Sequence, residues 1–384
     1  MANATLYVGD AKETLQALPA ESVQTCITSP PYWGLRDYGE DGQLGLEETP
    51  QEYVQNLMEV FREVRRVLRD DGTLWLNLGD SYAGGKIGRS DKHEDGGGLY
   101  DGTQDGWENQ EPKQRTPPDG LKEKDLVGIP WRVALALQDD GWWLRSDIIW
   151  NKPNPMPESV TDRPTSSHEH IFLLTKSKQY YYDADAIRED AVKGNAGSKF
   201  HTGKTAGHHN GSDPSSAERE ETGRRNKRDV WEVTTKPYSD AHFAVYPPDL
   251  IEPCVKAGTS KKGHCPECGA PWKRQVDHEP GDYEYSERGE KVGSNAQASG
   301  TQKKPAKRTT VGWEPGCNCD KDPEPDVVLD PFAGAGTTGL VALAKGRDFI
   351  GIDLSRDYCE MAAERIRSDA PLMNQVEICT PVTA

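Results

Sequence analysis

The sequence predicts an α/β fold built on a largely parallel sheet, and three observations predict it. Short apolar runs alternate with stretches of helical periodicity at the start of the chain, the same alternation returns at its end, and in each half a strand breaks off into a loop of unusual composition. The elements follow in order. Thr5-Leu-Tyr-Val-Gly9 reads as a strand, with Asp10 and a helical stretch to Leu18 after it. Val23-Gln-Thr-Cys-Ile27 reads as a second strand that stops at Thr28-Ser-Pro-Pro-Tyr-Trp33, because consecutive prolines cannot continue a central strand. Tyr53, Val54, Leu57, Val60, Phe61, Val64 and Leu68 recur at helical spacing from Pro50 to Arg69. Asp70-Asp71-Gly72 is expected to end that helix, and Thr73-Leu-Trp-Leu-Asn-Leu78 to form the next buried strand.

Residues from about 83 to 123 are rich in Gly, Asp, Gln and Pro, without periodicity, and are expected to form a mobile insert. A helix is expected from Leu126 to Gln138 and a strand from Trp142 to Trp150. The proline loop Asn151-Lys-Pro-Asn-Pro-Met-Pro157 and a strand from Glu169 to Thr175 follow. Pro248 to Ala257 reads as a short helix. At the end come strand Val327–Asp330, a glycine loop, a helix to about Gly346, strand Phe349–Asp353 and a helix to about Arg367. The domain reading is one catalytic domain with insertions: 1–187 and 326–384 as its two halves, 188–236 as a target-recognition region, 237–257 as a helix bordering the ligand site, and 258–325 as a Cys-rich insert.

Composition narrows the function classes. No run approaches the roughly 18 apolar residues needed to span a bilayer, and Met1-Ala2-Asn3-Ala4-Thr5 lacks the basic start and apolar core of an export signal, so no membrane association and a cytoplasmic location are expected. The eight cysteines do not suggest a secreted disulfide framework. The balance of 46 basic against 63 acidic residues gives −17, a surface suited to a salty cytoplasm and unusual for a nucleic-acid enzyme. Basic residues cluster locally at Arg224-Arg225-Asn226-Lys227-Arg228, Lys261-Lys262, Lys273-Arg274 and Lys303 to Arg308.

Asp330-Pro-Phe-Ala-Gly334-Ala-Gly336-Thr-Thr338 lies between a strand and a helix, where glycines let the backbone approach a ligand and the helix N-terminus adds a positive end. Asp353 ends the following strand, where an acid commonly accepts bonds from ribose hydroxyls. A nicotinamide dinucleotide fits poorly, since the loop opens Asp-Pro-Phe and an acid at Asp330 would attract an ammonium and repel a diphosphate. Thr28-Ser29-Pro30-Pro31-Tyr32-Trp33 suits chemistry on an exocyclic amine. The Ser29 hydroxyl and the carbonyl of the following proline can accept the two amine hydrogens and free the nitrogen lone pair. The prolines aim that carbonyl, and Tyr32 can stack on a base taken out of the duplex, returning about 1–3 kcal/mol of the cost of flipping.

With these motifs the chain resembles the β-class amino-methyltransferases of DNA, which modify N6 of adenine or N4 of cytosine. The catalytic motif comes first, the target-recognition region next and the cofactor motif last, over most of the chain from about Thr5 to Arg367. Asn151–Pro157, Tyr180-Tyr-Tyr-Asp183 and His242-Phe-Ala-Val-Tyr-Pro247 also resemble it. The resemblance implies a Rossmann-like S-adenosylmethionine-dependent methyltransferase fold in circularly permuted order. It assigns catalysis to Ser29, Pro30, Pro31 and Tyr32, and S-adenosyl-L-methionine binding to Asp10, Asp330, Phe332, Gly334, Gly336 and Asp353, with His242 to Pro247 near its methionine end. Double-stranded DNA is the implied partner, alongside a cognate restriction endonuclease. Asp-Pro-Pro-Tyr usually accompanies adenine modification and Thr-Ser-Pro-Pro-Tyr the N4-cytosine form, which Ile27 to Tyr32 matches. N6-adenine methylation, RNA amino-methylation and a zinc-dependent DNA-binding protein with an inactive methyltransferase domain are the alternatives. C5-cytosine chemistry would need a nucleophile such as Cys254 after Pro253, but that residue shares a helical face with Leu250, Ile251 and Val255 and reads as core. Protein glutamine methylation would carry Asn where Ser29 stands.

Cys265-Pro-Glu-Cys268 and Cys317-Asn-Cys319 offer four thiolates for a structural zinc, with Gly269 completing a zinc knuckle that staples a polar insertion. His264 and His278 read as surface histidines that could replace a cysteine ligand.

Overall fold

The structure, a computed structural model, describes residues 2–35, 39–84, 117, 120–190, 224–236, 245–285, 300–304, 306–369 and 374–380. Most of the insert expected at 83–123, much of the 188–236 region and His242 to Ala244 lie outside these residues. The chain forms two units, residues 1–183, 228–273 and 315–384 in the first and 184–227 with 274–314 in the second.

The first unit is built on strands β1 (Ala2–Val8), β2 (Val23–Thr28), β3 (Leu68–Leu78), β4 (Trp143–Asn151) and β5 (His168–Thr175), and helices α1 (Ala11–Ala17), α2 (Pro50–Val67) and α3 (Ile129–Asp139). Further along the chain come two short strands of the second unit, β6 (Glu189–Asp190) and β7 (Arg224–Arg225), then β8 (Val230–Glu232) and α4 (Pro248–Gly258). Strands β9 (Lys273–Glu279), β10 (Asp282–Tyr285), β11 (Gly300–Lys304) and β12 (Lys307–Glu314) precede β13 (Val327–Asp330), α5 (Thr337–Ala344), β14 (Asp348–Asp353), α6 (Arg356–Asp369) and β15 (Asn374–Cys379).

Nine strands form one sheet in the order β15-β1-β14-β13-β2-β3-β5-β4-β8. The pairs from β15 to β3 are parallel, as the alternation predicted, and both ends of the chain contribute to them. Strand β5 runs antiparallel to both neighbours, with Leu78 opposite His170 and Asn151 opposite His168. The reversal carries the start of β5 to the same sheet edge as the ends of β3 and β4. Strand β8, assigned by its polar flanks to the target-recognition region, pairs with β4 and belongs to this sheet; the polar charge of its neighbours hid the one side chain, Trp231, that anchors it in the core.

Helix α2 shows how the sequence drives the packing. Thr49 and Glu52 form a capping box, Pro50 supplies a preset first turn, and Tyr53, Leu57, Val60, Phe61, Val64 and Val67 are buried along one face. That face meets Leu74, Leu76 and Leu78 of β3 and the buried residues of α1 and α3 in one core. The alternate residues Ile27, Trp75, Leu173 and Val328 are buried too, so the sheet is covered on both faces, and α5 packs against both α4 and α6 beside it. Asp70-Asp71-Gly72 does not end α2. The helix stops at Val67, and these residues form an irregularity inside β3, where Val23 faces Leu68 and Thr25 faces Thr73. No helix among the described residues is long and apolar enough to cross a membrane.

The second unit has a short 3-10 turn at Ala184–Ile187 and three two-stranded pairs, β6 with β7, β9 with β12 and β10 with β11. Its basic residues are interleaved with acids: Arg225 pairs with Glu189 at 2.8 Å, and Arg308 holds both oxygens of Asp185 at 2.7 and 2.8 Å. Arg308 thereby holds the Asp185 carboxyl below the usual range.

Phe61→Ala removes a fully buried ring at the α2–sheet contact and is expected to lower the unfolding free energy by about 3–5 kcal/mol. Thr49→Ala, which removes only the cap, should cost about 1 kcal/mol. Urea denaturation of the two variants checks both values and their order.

Candidate active site

Strands β2 and β13 are central neighbours, and the chain leaves them in opposite directions: β2 leads through α2 to β3 on one side, β13 through α5 to β14 on the other. Such a switch point opens a crevice at the C-terminal ends of the two strands. It brings Ser29 beside the Asp330 loop, and a 2.6 Å bond from Thr28 Oγ1 to Asp330 Oδ1 joins the two loops directly.

Asp330 has no exposed surface and accepts three further bonds, from Thr338 Oγ1 at 2.7 Å, Tyr246 OH at 2.9 Å and Phe332 N at 3.1 Å. Burial pushes its carboxyl up, against the lowering effect of the four donors. An ion pair with a cationic ligand was the sequence expectation for this residue. In the structure its oxygens are engaged by the protein, so it acts first by ordering the loop.

Gly336 caps α5 in the left-handed region at φ +71, and a Cβ there would lie 2.7 Å from that of Ala362. Above Gly334 a Cβ would meet nothing within 4 Å, which leaves the loop backbone open to a ligand. Asp353 accepts from the amides of Gly334 at 2.8 Å and Ser355 at 2.9 Å, yet burial raises its carboxyl to about 6. Val8 lies opposite Asp353, which brings Asp10 to the same edge; there Asp10 caps α1 by accepting from Glu13 N at 2.9 Å. Phe332 packs partly buried against the core. An acid at the end of β14, an open glycine backbone and an aromatic edge form a donor set that fits a nucleoside-bearing ligand.

The Ser29–Trp33 loop is anchored at two points. Tyr53 of α2 donates to the Pro31 carbonyl at 2.7 Å, and the buried Trp33 donates to Glu47 O at 3.0 Å. The bond from Tyr53 ties the Pro31 carbonyl to α2 and so fixes the loop behind Pro30. Ser29 Oγ donates to Tyr32 OH at 3.3 Å, and Tyr32 OH donates to Glu169 Oε2 at 2.7 Å. The Tyr32 ring lies against Gly79, where a Cβ would come within 2.6 Å of it. Burial, and then the charge of Glu169, push the Tyr32 phenol well above its usual range.

Sequence reasoning missed the residues around Tyr32. Asn77 donates to Glu169 Oε2 at 3.1 Å and to His170 O at 3.1 Å, while Lys152 pairs with Glu169 and lies over the Trp150 ring at 4.3 Å. The signal was present as single polar residues inside apolar strand patterns, Asn77 in β3 and Glu169 in β5. Tyr246 and Thr338 were quoted within motifs but not singled out; they bond each other and Asp330.

The sulfurs of Cys265, Cys268, Cys317 and Cys319 lie within 4.8 Å of one another. Tetrahedral zinc with bonds of about 2.3 Å needs sulfurs about 3.8 Å apart, so the four cysteines fit the ion. Backbone amides of Cys268 and Glu267 lower the Cys265 thiol to about 7, whereas neighbouring thiols push Cys319 up to about 12. Such crowding opposes a second thiolate unless a cation is present. Gly269, at φ +72, closes the turn by donating to Cys265 O at 2.9 Å. His264 departs from its reading as a surface residue and spare ligand: it is buried and its Nδ1 lies 3.0 Å from Asp326. Cys254 is buried in α4 with Leu250, Ile251 and Val255, as its helical face predicted.

The family model described as DNA methylase, covering the N6 and N4 enzymes, matches residues 23–265 and 321–364. The chain is 39% identical to the Type II methyltransferase M.Cfr9I of Citrobacter freundii, covering 95% of this chain and 88% of that protein. It is 41% identical to M.XycI of Xanthomonas campestris pv. cyanopsidis, over 94% and 87%, and 40% identical to M.SmaI of Serratia marcescens, over 94% and 90%. Its fold is similar to that of the cytosine-N4-specific PvuII DNA methyltransferase, with a TM-score of 0.52 and 16% identity over 98% of this chain and 95% of that one. With both motif loops meeting at one crevice and these likenesses over most of its length, the chain belongs to the N6/N4 DNA methylase family.

Proposed function

We propose that this DNA methylase transfers a methyl group from S-adenosylmethionine to N4 of cytosine at a defined site in double-stranded DNA. The observation that carries it is the Thr28–Asp330 bond, which holds the Ser29 loop against the glycine loop. The Type II names of the relatives support a role beside a cognate restriction endonuclease. The preference for cytosine rests on Ser29, the residue typical of the N4 form of the motif.

In this mechanism Asp353 receives the ribose hydroxyls, with Asp10 and Phe332 toward the adenine and Gly334 and Gly336 giving close backbone approach. S-adenosylmethionine supplies an electrophilic methyl group. Ser29 Oγ and the Pro30 carbonyl accept the hydrogens of the flipped amine and turn its lone pair out of conjugation, while the Tyr32 ring stacks on the base. Four thiolates would leave no open coordination position, so zinc held by Cys265, Cys268, Cys317 and Cys319 would be structural and would tie the ends of the 265–319 segment together.

Ser29→Ala is expected to slow transfer by about 100-fold or more with cofactor affinity unchanged. Nucleoside mass spectrometry with labelled donor reads both rate and base: N4-methylcytosine supports the assignment, N6-methyladenine overturns the base, and undiminished turnover in the variant removes Ser29 from catalysis. Asp353 accepts hydroxyl bonds best when ionised. Cofactor affinity should therefore fall about tenfold as pH drops from 7 to 5 through the value near 6. The effect on stability has the opposite sign, because the folded state takes up this proton before the unfolded one. Calorimetry on Asp353→Asn should find a flat profile; a flat wild-type profile would count against the role. Metal analysis should find one zinc per chain, lost in Cys268→Ser together with protease resistance around 265–319. A zinc-free wild type with intact resistance would reject the metal.

A further inference from the structure

Methylating a neutral amine creates a positive nitrogen that must lose a proton, and Ser29 is no base by itself. An aspartate at this position could take that proton. A serine can only pass it on, so the group that finally holds it must be found elsewhere in the site.

The hydrogen bonds around Ser29 lead to one carboxylate. Ser29 Oγ donates to Tyr32 OH at 3.3 Å, and Tyr32 OH has a single proton with two acceptors in reach: Glu169 Oε2 at 2.7 Å and Asn77 Oδ1 at 3.2 Å. The charged acceptor is the nearer. Glu169 is held from two sides, by Asn77 Nδ2 and by Lys152, whose side chains come from the ends of β3 and β4. Glu169 and Lys152 side chains are only 16% and 19% exposed, so water has limited access to the end of the chain of bonds. Contact with Gly79 keeps the Tyr32 ring, and with it the hydroxyl, in register.

We propose that Ser29, Tyr32 and Glu169 form a proton relay, with Glu169 as the final acceptor and Lys152 and Asn77 as its positioning residues; this rests on the amine-methylation chemistry proposed above. As the amine lone pair forms the new nitrogen–carbon bond, the carbon–sulfur bond of the donor breaks and sulfur keeps the electron pair. The amine proton moves to Ser29 Oγ, the Ser29 proton to Tyr32 OH, and the Tyr32 proton to Glu169. The donor loses its positive charge as Glu169 loses its negative one, and the hydroxyls of Ser29 and Tyr32 are restored.

The test is single-turnover methyl transfer on unmethylated DNA by wild type, Tyr32→Phe, Glu169→Gln and the double variant. Tyr32→Phe keeps the stacking ring and the Lys152–Glu169 pair, so it reports on the hydroxyl even if Glu169→Gln fails to fold. Both single variants are expected to lose about 100-fold in rate with KM for DNA within about twofold. The double variant should be no slower than either one, because a broken relay cannot be broken twice. The solvent deuterium isotope effect of wild type should vanish in Tyr32→Phe. Full rate in Tyr32→Phe, or losses that multiply in the double variant, would overturn the relay. Absence of transfer by wild type would instead refute the underlying chemistry, so the two failures are distinct.

Discussion

The carboxylate of Asp330 carries no exposed surface and takes donors from Thr28, Thr338, Tyr246 and its own loop. A carboxylate in that position is expensive to bury, and its cost is offset only while every donor is present. Two of the four donors, Thr28 and Tyr246, come from segments far from Asp330 in the chain, so satisfying one charge requires β2, α5 and the Tyr246 segment to reach their final places together. The Ser29 loop is tied to the glycine loop through this shared acceptor.

A second anchor works from the opposite side of the Ser29 loop. Tyr53 belongs to the α2 core face, at the N-terminal end of the helix, and also donates to Pro31. The residue that packs the helix therefore sets the direction of the loop. Two prolines stiffen what lies between the anchors, so the backbone near Ser29 has little freedom left to lose when a base arrives.

The parallel half of the sheet and the two motif loops were legible because periodicity, proline pairs and glycine runs are local signals. Cys265, Cys268, Cys317 and Cys319 were legible for the same reason, and their sulfurs do converge. The antiparallel placement of β5 was not, since direction is decided by pairing partners and leaves no local mark. The register that sets Leu78 opposite His170 is what brings Glu169 to Asn77 and Tyr32, and no spacing in the sequence encodes it. Asp71 misled for a related reason: Asp-Asp-Gly is a turn signal, yet here it forms an irregularity within β3. The acidic excess was easier to read than its consequence. In the second unit Asp185 and Glu189 answer Arg308 and Arg225, so a basic run in the sequence overstates the positive charge presented to a phosphate backbone.

The relative position of carboxylate and amine separates the two forms of this chemistry. An aspartate in the loop could be both the acceptor of the amine hydrogen and the sink for its proton. With Ser29 the loop presents a neutral oxygen, and the nearest carboxylate, Glu169, stands behind Tyr32 on another strand. Its charge is balanced by Lys152. In the proposed relay Tyr32 is more than a stacking surface, because its ring also carries the hydroxyl that links Ser29 to Glu169. The proposed relay depends in turn on the antiparallel direction of β5: reversed, the strand would take Glu169 to the far edge of the sheet, away from Tyr32.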